Sequence, residues 1–597
     1  MKTTALSNSF NGKSGLLLFV VVCLFSSEPL RSQDLPVYSV TCPEASELGE
    51  YGAVPVSHYT GIPNISIPLY EIRVGKYTIP VSADYHLASV RPNDPPGTLG
   101  LGWTLMAGGV ISRSVRGVYD EKKGTAGVGN GFYWHTADLK KVSEEGVQSF
   151  DQQTKDCLQS ETSEGWYELS ADEFSFNFLG YSGNFYINED GGWTVVSDCD
   201  IKVEFDPKTG FAGVNDLKDR IPDIDKWPDK NDNTMFFKEF TLVTPDGCRY
   251  VFGGLCAMDF CIPYYSRNTD GMVVTSWHLS KIVTPEGYEV NYSYLCTGNN
   301  RPVMVDLRYV PSYRSVQKVI PGSGTSQGTF SYNTGRKGFT GFLLYGCDLQ
   351  TITTPNETIS LFYYADLNYG TAYSKYAGEA LYWTGAGARQ TSYFAVWPEP
   401  YGQFLYLIKA RSGSSPSNTR NNIADALRCN VLHRIAIASN YSDGHDMSIY
   451  LSQSSRSRRK LSGIVWRAGI PPIKNEPVMG GGVLYPNYVI PENDSGVDMP
   501  EYKFSYNPGT FPYGYVFPQT DQWGYYNGKT NSPSGNFDIN KPVAESNLQA
   551  SQYETLTEIQ YPTGGSTVFE YEGNDYSRKV VNVGQDPVEK KGTSGGL

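Results

Sequence analysis

The chain has 597 residues, 40% of them hydrophobic and only 19% charged, and its 44 tyrosines, 62 glycines and 36 prolines favour strands broken by turns over solvated helices. That length exceeds a single hydrophobic core, so roughly two to four domains are expected. A formal net charge of -13 excludes nucleic acid or an anionic membrane as the main partner.

At the start, Lys2 and Lys13 flank an apolar run, Gly15 to Phe25, of signal-peptide length and too short to span a bilayer. Residues 1–32 read as an export signal with cleavage after Ser32. Val22 is too bulky for lipid attachment at Cys23. The mature chain is expected to be extracellular or at the cell surface, with no membrane-spanning segment. Nine cysteines remain, an odd number; Cys256 and Cys261 are close enough for a local disulfide, and the others read as buried thiols. Neither CxxC spacing nor a paired histidine accompanies them, which argues against zinc.

Three regions follow: 33–120, 121–300 and 301–597. In the first, Ile65-Ser66-Ile67 and Tyr77 to Tyr85 alternate as strands, and Arg91 to Gly97 is a turn cluster. The Gly100-Leu101-Gly102-Trp103-Thr104-Leu105 element comes next and runs into Gly108-Gly109-Val110-Ile111-Ser112-Arg113. Its glycines allow close backbone approach and Trp103 is a large apolar anchor, so Gly100, Gly102, Trp103, Gly108, Gly109 and Arg113 form a structural packing motif. In the second region, Glu173 to Phe178 and Phe185-Tyr186-Ile187 bracket a Gly-bounded turn, a hairpin pattern. The acidic loop carrying Asp219, Asp223, Asp225, Asp229, Asn231 and Asp232 is the one calcium candidate, without EF-hand spacing. Arg456, Arg458, Arg459 and Lys460 form a basic run, and 470–494 reads as a linker.

A degenerate repeat centres on Pro245, Pro285, Pro355 and Pro562. An aromatic falls seven residues after each proline: Phe252, Tyr292, Phe362 and Phe569. A second aromatic follows at Tyr294, Tyr364 and Tyr571, and Leu279, Leu349 and Leu556 stand six before the proline. Each unit reads as a hairpin whose aromatic face needs a neighbour to cover it, with the four aromatics on adjacent ribbons. The expected fold is all-β and multidomain, built of antiparallel sheets and stacked hairpins in a sandwich or solenoid, with few helices.

Catalytic patterns are missing. None of the six histidines forms HExxH, and there is neither a GxSxG elbow nor a P-loop. Trp523-Gly524-Tyr525-Tyr526 is an aromatic cluster suited to sugar rings, with Trp523, Tyr525 and Tyr526 as candidate contacts.

The motifs as a set resemble the N-terminal region of secreted bacterial Rhs/YD-repeat proteins. The residues that carry the resemblance are Glu50-Tyr51-Gly52, Pro55-Val56-Ser57, Tyr59-Thr60-Gly61, Pro63 to Tyr70, the Gly100-to-Arg113 element, Asp172 to Phe178, Tyr250 to Gly254 and Asp521 to Gly528. The Gly-Trp element is also similar to one near the start of toxin-complex proteins that build a hollow β shell. The resemblance implies a β cocoon enclosing a C-terminal toxin or effector. This chain departs from it in having no well-formed YD repeat and in stopping at Leu597, where relatives are expected to continue. The function expected is that of a non-enzymatic structural or interaction module in toxin delivery or surface contact, without cofactor, with protein or a surface glycan as partner. A glycan-binding module and a polysaccharide-degrading enzyme are the alternatives.

Overall fold

The computed structural model describes residues 54–57, 61–123, 131–146, 168–220, 235–263, 272–296, 303–310, 338–366, 429–441, 446–454, 458–469, 499–512, 519–529 apart from 522, 546–573, 575–580 and 589–593, with a few single residues between them. Backbone contacts divide the chain into Met1–Ala53 and Val54–Leu597. The expected export signal, the 470–494 linker and the acidic loop beyond Asp219 lie outside the described residues.

The described residues are mostly strands, as the composition requires. β1 (Ile65–Val74) and β2 (Tyr77–Tyr85) form a hairpin, and β3 (Trp103–Met106) extends it with Trp103 opposite Tyr85. Alternation, reset once by a bulge at Leu69, buries Ile65, Ile67, Leu69, Ile72 and Val74 of β1. Next come β4 (Gly109–Ser114), the short helix α1 (Thr136–Glu145), β5 (Glu173–Phe178), β6 (Tyr181–Ile187), β7 (Trp193–Ser197) and β8 (Lys202–Glu204). β9 (Phe211–Gly213) pairs with β10 (Met235–Phe237). The chain continues through β11 (Glu239–Val243), β12 (Arg249–Gly253), β13 (Met258–Pro263), β14 (Val273–Val283), β15 (Glu289–Leu295), β16 (Val303–Val310) and β17 (Gly338–Tyr345). It ends with β18 (Asp348–Thr353), β19 (Glu357–Ala365), β20 (Asn430–Ser439), β21 (Met447–Gln453), β22 (Leu461–Ala468), β23 (Tyr502–Tyr506), the single-turn helix α2 (Leu548–Ser551), β24 (Leu556–Gln560), β25 (Ser566–Val568), and the pair β26 (Asp575–Val580) and β27 (Glu589–Thr593).

Two antiparallel ladders share one strand. One runs β7-β6-β5-β4-β14-β13-β17-β16 and uses residues 273–278 of β14. The other runs β8-β11-β12-β14-β15-β18-β19-β20-β21-β22-β23-β24-β25 and uses residues 279–283. The alternating β5 buries Phe174, Phe176 and Phe178 completely or nearly so. Around Phe174 pack Phe185, Trp193, Phe237, Phe240 and Trp277, with ring centroids 5.1–6.0 Å away. The disulfide joins Cys256 to Cys296 across 40 residues of sequence. It replaces the expected Cys256–Cys261 pairing because Cys261 lies within β13, paired to Leu344, while Cys256 precedes that strand.

The repeat is a physical unit. In the turns at Pro245 and Pro285 a three-residue loop is closed by Thr244 N donating to Cys248 O at 3.1 Å and Thr284 N to Tyr288 O at 3.0 Å. The left-handed Gly247 and Gly287, φ +84° and +86°, end each turn. Pro562 has the same loop, with Tyr561 in place of threonine. The hairpins β11–β12, β14–β15 and β18–β19 are consecutive in their ladder, as expected. β24–β25 is not adjacent to them: β20 to β23 intervene. Phe569 therefore follows a hairpin outside the run of three that carries Phe252, Tyr292 and Phe362.

Those intervening strands obey the same rule although they lie outside the proline repeat. At each junction between hairpins the register slips once. Phe252 then stands opposite Leu279, Tyr294 opposite Leu349, Tyr363 opposite Leu432, Gln453 opposite Leu461, and Tyr506 opposite Leu556. A bulge takes a carbonyl out of the ladder, and a buried carbonyl requires a donor. Each leucine carbonyl receives one from the other arm of its own hairpin, in the last case from Tyr571 just past β25. Tyr294 donates to Leu279 O at 2.6 Å, Tyr363 to Leu349 O at 2.6 Å and Gln453 Nε2 to Leu432 O at 3.1 Å. Tyr506 donates to Leu461 O at 2.5 Å and Tyr571 to Leu556 O at 2.7 Å.

One expectation shifts by a residue. Tyr363, not Tyr364, fills the role in β19, because the Pro355 turn lacks a glycine and is closed by Thr354 N on Glu357 O at 2.9 Å, one residue earlier. Tyr294→Phe or Tyr571→Phe is expected to cost about 1–3 kcal/mol by stranding a carbonyl, while Tyr364→Phe is nearly neutral. Urea unfolding of the three variants checks this; equal small effects at all three would remove the device.

Candidate functional site

The Gly-Trp element is a clamp between the β1–β3 sheet and the long ladder. Gly100, at φ +107°, lies so close to Lys460 and Leu461 that a Cβ would stand 2.9 Å from Leu461 N. A Cβ on Gly102 would meet the Tyr85 ring at 2.5 Å. Leu101 N donates to Arg459 O at 2.8 Å. Trp103 is buried, its ring centroid 5.3 Å from Tyr85 and 4.9 Å from Phe504. Its Nε1 donates to the Tyr506 hydroxyl at 2.9 Å, the same hydroxyl that caps Leu461. The Tyr85 hydroxyl in turn accepts from Leu556 N at 2.9 Å. Gly108 abuts Leu279 and Tyr292, and Gly109 abuts Phe178.

Arg458, Arg459 and Lys460 of the basic run belong to this clamp, while Arg456 lies outside the described residues. Arg459 donates to Asp366 at 2.6 Å, to Gln453 Oε1 at 2.7 Å and to Gly97 O at 3.3 Å. Arg458 lies over the rings of Phe511 and Tyr515. Arg458, Arg459 and Lys460 are all buried.

Arg113, at the end of the same motif, is the centre of a buried ionic cluster. Its NH2 donates to both oxygens of Glu121 at 2.9 Å, and its Nε is 3.7 Å from Asp172 Oδ2. The guanidinium is flanked by Trp277 at 4.9 Å and Phe174 at 5.0 Å. Asp120 and Asp172 cross-bond, Asp120 N to Asp172 Oδ2 at 3.1 Å and Asp172 N to Asp120 Oδ1 at 3.0 Å. Burial, and then the Asp172 charge, pushes Asp120 well above the usual carboxylate range. Burial raises Asp172 as well, against the pull of Arg113. One cation thus serves three carboxyl groups, and the Asp120–Asp172 pair retains a proton readily. The motif points to Arg113 alone; Asp120 and Glu121 follow it by seven and eight residues, and Asp172 comes from a distant segment.

The aromatic cluster near 523 is mostly interior. Asp521 Oδ1 accepts from Trp523 N at 3.0 Å and Tyr525 N at 2.9 Å, a turn that tucks the rings inward. Tyr525 is buried beneath the Arg91 guanidinium, and Tyr526 packs on Phe511 and Tyr553. Only Trp523 of the three is exposed, at 41%. The expected three-ring platform is therefore reduced to one ring.

A further cluster had no signal in the sequence, because its members are far apart in the chain. Asp259 of β13, His278 of β14 and Cys347 in the β17–β18 turn place one ligand atom each within 4.8 Å of one another. His278 Nε2 is 2.8 Å from Asp259 Oδ2. Cys347 N donates to Asp259 Oδ1 at 3.1 Å, and its Sγ lies 3.6 Å from that oxygen. Burial opposes charge on Asp259, yet His278 holds its carboxyl below the usual range. Burial likewise opposes the imidazolium, but Cys347 and Asp259 keep His278 protonated well above its ordinary value. Burial pushes the Cys347 thiol up. Among the described residues this is the group with metal-ligating chemistry.

No family model and no curated protein matches this chain. Among solved structures it is similar to a chain of the Photorhabdus luminescens Tc holotoxin pore, at 10% identity and TM-score 0.29, over 76% of this chain and 16% of that one. It is similar to a chain of the TcdB2–TccC3–TEV crystal structure at 11% identity and TM-score 0.30, over 77% and 16%. It is also similar to the N-terminal domain of effector protein SpvB from Salmonella typhimurium strain LT2, at 11% identity and TM-score 0.25, over 67% and 97%. This chain thus spans 16% of the length of each toxin-complex chain.

Proposed function

We propose that the chain is an exported, non-catalytic β scaffold, the N-terminal part of an Rhs/YD-repeat-type protein of toxin delivery or cell-surface contact, acting through protein contacts. The observation that carries this reading is the recurring hairpin unit. Five hairpins each satisfy their own bulged leucine carbonyl, so units stack without altering one another's interior. The sequence resemblance, spread over nearly the whole mature chain, supports the same reading. The Arg113 and Arg459 clusters support it too, since their charges join segments of the fold to each other. The burial of Tyr525 and the packing of half-buried Tyr526 on Phe511 and Tyr553 remove most of the support for a glycan platform.

The test has two parts. Expressed with its leader in a Gram-negative host, the chain is expected outside the cytoplasm with an intact mass lacking residues 1–32. The purified chain is expected to turn over no polysaccharide, peptide or ester substrate. Cytoplasmic retention would overturn export, and hydrolysis lost on unfolding the chain would overturn the non-catalytic reading.

A further inference from the structure

We propose that Asp259, His278 and Cys347 form a binding site for a divalent cation of the zinc class, tying β13 and β14 to the β17–β18 turn. This goes beyond the scaffold reading and does not depend on it. Carboxylate, imidazole and thiolate are the three ligand types that zinc takes. In a tetrahedral zinc site, ligand bond lengths of about 2.0–2.3 Å put ligand atoms about 3.3–3.6 Å apart. The observed separations of 2.8 Å for Asp259 to His278 and 3.6 Å for Asp259 to Cys347 need a shift of about half an ångström at most in that pair.

Each of the three groups faces the other two: Asp259 bonds His278 and Cys347, and the His278 ring and the Cys347 thiol are themselves hydrogen-bonded, so all three ligand atoms converge on one point. Side-chain exposures of 25% for His278 and 17% for Asp259 leave an approach route and room for water as a fourth ligand. The ligands stand on a fixed base. Arg220 donates to Leu255 O at 3.2 Å, Tyr345 O at 3.3 Å and Gly346 O at 3.2 Å, pinning the backbone just before Cys347.

The experiment is a titration of the chelator-stripped full chain, its Cys256–Cys296 disulfide intact, with cobalt(II), followed by zinc(II). One cobalt per chain is expected, with an intense thiolate-to-cobalt absorption in the near ultraviolet that zinc abolishes. Cys347→Ser is expected to lose that absorption, and His278→Gln to weaken zinc binding at least tenfold, each with an unchanged circular dichroism spectrum. Cys199→Ser, at an exposed cysteine elsewhere, keeps both. Should Cys347→Ser fail to fold, His278→Gln carries the test alone. Absence of stoichiometric cobalt binding, or a thiolate band that survives Cys347→Ser, would overturn the site.

Discussion

Arg113→Met is expected to destabilise the protein by about 3–5 kcal/mol, the range for removing one partner of a fully buried ion pair. Both side chains of the Arg113–Glu121 pair are fully buried, so no water can replace the lost cation. Three carboxyl groups would be left with backbone donors alone. The loss should depend on pH with a definite sign. Asp120 and Asp172 have folded-state pKa values raised above those of the unfolded chain, so the folded state binds more protons in the intervening window. Their contribution to stability is greatest below the ordinary aspartate value and declines as pH rises through the folded values. Removing Arg113, whose charge lowers Asp172, widens that window. Urea midpoints at pH 7 should therefore fall further in Arg113→Met than midpoints at pH 4. Adding Glu121→Gln should restore part of the loss at pH 7. A variant within about 1 kcal/mol of wild type at both pH values would show that the cluster is not structural.

Trp103→Ala is expected to cost about 3–5 kcal/mol, from lost burial and the cavity left behind. The ring is 2% exposed and touches both sides of the clamp, Tyr85 on the small sheet and Phe504 on the long ladder. Trp103→Phe, which keeps an aromatic ring but loses the Nε1 donor to Tyr506, should cost about 1–2 kcal/mol. Trp523→Ala, at a ring 41% exposed, should cost far less than Trp103→Ala, about 1 kcal/mol or under. Thermal and urea unfolding of the three variants would give this order. A Trp103→Ala loss no larger than that of Trp523→Ala would mean that the Gly-Trp element does not join the two parts.

Much of the local architecture was legible because it follows from backbone chemistry. Alternation in Glu173 to Phe178 announces which residues face the core, and each is buried as its position requires. A Thr-Pro-Asp-Gly or Thr-Pro-Glu-Gly sequence specifies a three-residue loop, since proline presets one dihedral and glycine takes the positive φ. Where that glycine is missing, after Pro355, counting along the sequence misplaces the hydroxyl donor by one residue. The two hairpins outside the proline repeat, β20–β21 and β22–β23, escaped notice although Leu432 and Leu461 do the same work as Leu279. Gln453 also supplies an amide where the pattern leads one to look for a ring.

The sequence by itself determined that this is an all-β chain of stacked hairpins, and it marked the Gly-Trp element as a packing motif. Turn dihedrals and the two-residue period of strands are local, so they can be read from neighbours in the chain. Tertiary structure alone decided that Cys256 meets Cys296, that Arg458, Arg459 and Lys460 are interior, that Tyr525 is covered, and that Asp259, His278 and Cys347 converge. A charge or thiol is defined by whichever distant group stands against it in a low-dielectric interior, and no sequence spacing encodes that meeting.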